Sequence, residues 1–136
     1  MKEMKVAATV GNIEVITDFV NDFLESVDCP MQLQMKIAIA IDEIMSNLAF
    51  YAYDTAGGEV VVQVEAVEEP NGISLTFIDD GRPYNPLKKE DPDITLSAEE
   101  REIGGMGIFM VKKLMDEVKY EYVNSQNRLV LQKNWS

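Results

Sequence analysis

Residues 59–83 read EVVVQVEAVEEPNGISLTFIDDGRP, and the fold turns on how this stretch is parsed. From Glu59 to Glu68 the pattern alternates around Val60, Val62, Val64 and Ala66. From Gly72 to Ile78 it alternates around Ile73, Leu75 and Phe77. Period-two alternation marks strands with one buried face, and Asn71-Gly72 between them is a hairpin signal, because Asn and Gly accept the positive φ angles of tight turns. The second strand runs into Asp79-Asp80-Gly81-Arg82-Pro83, where turn-forming residues stop it.

Upstream, Pro30 suits a helix start and Gly57-Gly58 lies past a helix end, so a helix is expected from about Met31 to Tyr53. Ile37, Ile41, Ile44 and Leu48 form its buried stripe; Ile39 and Phe50 are apolar positions beyond that stripe, read as additional core ahead of a partner face. An earlier helix is marked by Ile13, Ile16, Phe19, Val20, Phe23 and Leu24, after a short strand over Met4 to Thr9 broken by Gly11-Asn12. Downstream, Asn85 to Ile103 has no sustained period, two prolines and many charges, the composition of a functional loop or lid. Ile108, Val111, Leu114 and Met115 mark a third helix. A closing hairpin follows, with Glu117 to Asn124 and Arg128 to Lys133 joined around Ser125-Gln126-Asn127. The order β-α-α-β-β-lid-α-β-β predicts one α+β domain over residues 1–136, a two-layer α/β sandwich with helices on one face of a mixed, mostly antiparallel sheet.

The 136 residues are 46% hydrophobic and 26% charged, ordinary globular values. A formal net charge of -12 repels nucleic acid and anionic membranes at long range, so neither is an expected partner. No apolar run approaches the roughly 18 residues of a membrane span, and the N-terminal run is too short for a signal peptide. The lone Cys29 has no internal disulfide partner, and the chain contains no histidine. These features suit the cytoplasm, and they remove the usual zinc sets and any internal phosphohistidine.

Three segments carry chemistry. Glu43 and Asn47 are four apart on the second helix and share a side, flanking the buried stripe. A solvated polar edge explains such a pair; so does a site in which the Asn47 amide oxygen meets Mg²⁺, a hard cation, and Glu43 acts as a base. Asp42 points about 100° away and takes no such role. Asp79 beside Gly81 is either a plain turn or a carboxylate that accepts a hydrogen bond from an exocyclic amine such as that of adenine, with no side chain at Gly81 to block a flat base. Gly104-Gly105-Met106-Gly107 precedes a helix start, so it is either a hinge or a nest of N–H groups for phosphate. It lacks the Lys-Ser/Thr ending of a P-loop and the spacing of a dinucleotide fingerprint. Arg101 can reach a terminal phosphate or pair with Glu99, Glu100 and Glu102. A carboxylate, an amide, a second carboxylate beside glycine and a backbone nest are the parts of a magnesium-nucleotide site.

Glu43-x-x-x-Asn47, Asp79-x-Gly81-x-Pro83 and Gly105-x-Gly107 resemble the N, G1 and G2 boxes of the GHKL ATPase superfamily, which includes gyrase, histidine kinases and heat-shock chaperones. The stretches DDGRPYNP and GGMGIFMVKKLMDEV look most like its stand-alone anti-sigma-factor serine/threonine kinases, and the likeness runs from about Ala8 to the last strand. It implies a Bergerat-type ATP-binding fold with ATP and Mg²⁺ as cofactors: Asn47 on the metal, Asp79 on adenine, and Gly104 to Gly107 under the phosphates. It also implies a protein kinase that uses Glu43 to phosphorylate a Ser or Thr of a STAS-domain anti-sigma antagonist, and that sequesters a sigma factor, often as a homodimer. Many relatives carry a histidine where this chain has Tyr51. Two other readings compete: a nucleotide-dependent binding module without phosphotransfer, and the catalytic half of a histidine kinase. The second is disfavoured by the lack of any histidine to phosphorylate.

Overall fold

A computed structural model describes residues 1–48, 58–68, 71–88 and 105–135. Five strands are formed by Lys2–Ala7 (β1), Glu59–Val67 (β2), Gly72–Asp79 (β3), Glu117–Val123 (β4) and Gln126–Asn134 (β5). Three helices are formed by Ile13–Ser26 (α1), Met31–Asn47 (α2) and Gly105–Leu114 (α3). The strands make one sheet in the order β1-β2-β3-β5-β4. All four pairings are antiparallel, so the parallel component that the sequence reading allowed is absent among the described residues.

The expected alternation builds the core. Val62, Phe77 and Leu129 stand opposite one another on β2, β3 and β5, as do Val64, Leu75 and Leu131, and all six are buried. On the helical layer Ile16, Val20 and Leu24 of α1 and Ile37, Ile41 and Ile44 of α2 are buried against this face. α2 packs against both α1 and α3, so it is the central helix. Burying one face of each element removes apolar surface from water at roughly 25 cal/mol per Å², which is what holds the two layers together.

Several boundaries differ from the expectations. β1 starts and ends two residues earlier than the hydropathy suggested. α2 runs to Asn47, and residues 49–53 of its expected extension lie outside the described residues. Ile39 is not core: it is 41% exposed and shares the outer side of α2 with the exposed Met31 and Met35. Phe50 lies outside the described residues, as do residues 89–103 of the expected lid; the start of that stretch is described and carries a short 3-10 turn at Pro86–Lys88.

The β4–β5 turn is Asn124-Ser125, not Ser125-Gln126-Asn127, which places Gln126 and Asn127 in β5. Asn124 and Ser125 have φ of 55° and 61°, the paired positive angles of a two-residue hairpin whose twist matches the strands. Serine has no ready access to this region, whereas glycine does. Ser125→Gly is therefore expected to raise unfolding free energy by about 1 kcal/mol in a urea titration, with an unchanged slope.

Candidate nucleotide site

The inward row of β3 is Ile73, Leu75, Phe77 and then Asp79, so the alternation that builds the core carries a carboxylate to its end. Asp79 is 4% exposed, and the next residue, Asp80, is exposed on the other side. In register with Asp79, Asn127 of β5 is 5% exposed. Burying a carboxylate is costly without donors. Here Asp79 Oδ1 accepts from the Gly81 N–H at 3.0 Å and from Asn127 Nδ2 at 3.0 Å.

Asn127 makes further bonds. Its Nδ2 also donates to the carbonyls of Arg82 at 3.0 Å and Gly81 at 3.3 Å, while its Oδ1 accepts from the Tyr84 N–H at 3.1 Å and from the Tyr120 hydroxyl. Two donors converge on the oxygen and three acceptors on the nitrogen, which fixes the orientation of the amide. Burial pushes the Tyr120 phenol up; a hydrogen bond from the Tyr84 backbone opposes this, and the charges of Asp79 and Tyr122 add to it. The hydroxyl therefore stays a donor at neutral pH. Neither Asn127 nor Tyr120 was singled out from sequence. Counting back by twos from the buried Leu131 and Leu129 puts residue 127 on the inward face, a signal masked by its resemblance to a turn residue.

Asn47 and Asp79 come from different elements and line one cleft, with Ile44 of α2, Leu48 just past its end, and Tyr84, Pro86 and Tyr120 across it. As it stands the cleft encloses about 30 Å³, room for about one water, so a purine enters only if its walls part. Tyr84 and Pro86 sit on the loop after β3 rather than in the sheet. A larger concavity of about 610 Å³ lies on the outer sheet face, lined by Lys5, Val61, Ile78 and Gln126 among others. It is an open surface around the exposed Lys5–Glu59 ion pair. The smaller cleft is the one that brings buried polar groups together.

One of those groups is left over. The Asn47 Nδ2 is buried and, among the described residues, has no hydrogen-bond partner. An unmet buried donor costs about 1–3 kcal/mol, and a ligand that supplies the partner recovers it. An amide offers a donor to a phosphate oxygen and, on its other atom, a hard oxygen to Mg²⁺. No group of three acidic, Cys or His residues that could cage a metal occurs among the described residues.

Glu43 is half-buried on α2, one turn before Asn47, and is not a lining residue of the cleft. Desolvation, and then the adjacent Asp42 charge, push its carboxyl up. Gly105, Met106 and Gly107 do not precede α3 but form its first turn. Their N–H groups are among those that a helix leaves unbonded at its N-terminus. Arg101 and Gly104 lie outside the described residues. Among the described residues, no helix is long and apolar enough to cross a membrane.

Comparison with known proteins completes the description. The family described as histidine kinase-like ATPase domain matches residues 6–133. The chain belongs to this family. Over 130 residues it is 25% identical to an anti-sigma F factor of Caldanaerobacter subterraneus, covering 96% of this chain and 90% of the relative. It is 23% identical over 100 residues to the serine/threonine-protein kinase BtrW of Bordetella bronchiseptica, covering 74% and 70%. The fold is similar to a solved structure of the RsbU and RsbW domains of a Mycobacterium tuberculosis protein, with a TM-score of 0.67 at 15% identity. The likeness covers 98% of this chain and 32% of that one.

The raised Glu43 pKa has a consequence for stability. The folded state holds the Glu43 proton more tightly than the unfolded state does, so this contribution is full below the unfolded pKa and is lost as pH rises through the folded one. Glu43→Gln should therefore melt at a higher temperature than the parent at neutral pH. The difference should disappear in melts run below the usual carboxylate range.

Proposed function

We propose that this histidine kinase-like domain binds ATP with Mg²⁺ in the cleft between α2 and the end of β3. It then transfers the γ-phosphoryl group to a Ser or Thr hydroxyl on a STAS-domain anti-sigma antagonist. The observation that carries the reading is the meeting of Asn47 and Asp79 across one cleft, with a buried amide nitrogen that has no partner among the described residues. Relatives named as an anti-sigma F factor and a serine/threonine-protein kinase support the choice of acceptor chemistry and of a sigma factor as the sequestered partner. Homodimer formation belongs to the same reading.

Each residue has a part. Asp79 accepts a hydrogen bond from the adenine amine, and Gly81 leaves space for the ring. Asn47 holds the metal, which supplies charge neutralisation at the phosphates. The N–H groups of Gly105, Met106 and Gly107, with Gly104 before them and Arg101 in the lid, cradle the phosphate oxygens. Glu43 takes the acceptor hydroxyl's proton as its oxygen bonds to phosphorus and the bond to the ADP oxygen breaks. A glutamate pushed up from its ordinary value is a stronger base whenever it is ionised.

Glu43→Ala should lower phosphotransfer to a cognate STAS protein by about 10²- to 10⁴-fold, with ATP affinity nearly unchanged. Labelled ATP and single-turnover kinetics measure it, and parental turnover in the variant removes Glu43 from the role of base. A parental chain that forms a complex without labelling its partner would instead be a nucleotide-dependent binding module. For Asn47→Ala, calorimetric titration should show that the gain in ATP affinity on adding Mg²⁺ is lost.

A further inference from the structure

We infer that Asn127 is a positioning residue of the nucleotide site: its amide holds Asp79 as a hydrogen-bond acceptor, so base selectivity depends on Asn127. The inference rests on Asp79 reading the base, as proposed above.

The geometry leaves the Asn127 amide one orientation. Its oxygen is committed to the Tyr84 N–H and the Tyr120 hydroxyl. Its nitrogen must then face Asp79 Oδ1 and the Gly81 and Arg82 carbonyls, all three of which are acceptors. With the Gly81 N–H also on Oδ1, two donors converge on one oxygen of Asp79 and hold the carboxylate in place as an acceptor. A carboxylate so held favours a base edge that donates and repels one that presents a carbonyl. The same amide ties residues 79–84 to β5, so one side chain sets both the orientation of the Asp79 carboxylate and the path of the turn beside it.

Asn127→Asp changes the donor into an acceptor with almost no change in shape. Two buried carboxylates then face each other, and they must share a proton to coexist. The titratable side chains bonded to or in register with position 127 are Asp79 on β3 and Tyr120 and Tyr122 on β4, and Tyr84 lines the same cleft; Asp79 is the only carboxylate in that set among the described residues. When the shared proton is present, the introduced carboxyl group donates to Asp79 as the native amide does. When it is lost, the turn is pushed apart. The pair's pKa lies above the ordinary carboxylate range, so base selectivity in the variant should fail as pH rises and return as pH falls.

The test is calorimetric titration with ATP and with inosine triphosphate, which carries a carbonyl in place of the adenine amine, from mildly acidic to mildly alkaline pH. For the parent protein, the preference for ATP should be steady across the range. For Asn127→Asp, it should shrink at least about tenfold at the alkaline end and recover at the acidic end. Tyr120→Phe removes a donor that orients the amide and should narrow the preference without pH dependence, which keeps the inference testable if Asn127→Asp does not fold. Equal weakening of both nucleotides, or an unchanged preference in the variants, would reduce Asn127 to a structural residue and overturn the inference. A parent that binds the two nucleotides alike would overturn the reading of Asp79 and this inference with it.

Discussion

The bond between the Asp79 carboxylate and the Asn127 amide is the constraint from which the rest of the site follows. It lies where the apolar rows of β2, β3 and β5 run out, in register with Val60. A carboxylate there without donors would be one of the most costly groups in the fold. With Asn127 and the Gly81 N–H in place it is a preorganised acceptor at the mouth of the core, and the residues that stabilise it also fix the turn through Tyr84. The pairing of β3 with β5 brings together two residues 48 apart in sequence, so the order of strands in the sheet is itself a condition for the site.

The second helix supplies the other wall. Its buried side, through Ile37, Ile41 and Ile44, fixes its rotation against the sheet, and that rotation places Asn47 in the cleft while Glu43 stays half-buried one turn back. Packing and chemistry are read from the same helix: a change in the stripe would turn the polar flank away from Asp79. The family match over residues 6–133 spans both walls of this cleft.

Much of this was legible in the sequence because it follows simple periods. Alternation in residues 59–79 located β2 and β3 and carried the inward row on to Asp79. Helical spacing found Ile16, Val20 and Leu24, and the Glu43-to-Asn47 interval gave the polar flank of α2. The failures have physical causes. Asn127 was read as a turn residue because Asn is common in turns, yet the turn is formed by the preceding Asn124-Ser125 pair, and a slip of this kind hides an inward-facing residue. For Ile39 hydrophobicity alone favours core over a partner face, although its place on the helical wheel is that of the exposed Met31 and Met35. Tyr120 and Tyr84 meet Asn127 only through tertiary contacts, for which a single sequence has no local signal.

Whether nucleotide enters the cleft between α2 and the end of β3 is settled by titrating the isotopically labelled chain with ATP and Mg²⁺ and following amide chemical shifts. The largest changes should fall on the side-chain amides of Asn47 and Asn127 and on the Gly81 N–H. Shifts that spare these groups and gather instead on the outer sheet face, at Lys5, Val61 and Gln126, would contradict a nucleotide site built on Asp79 and Asn127.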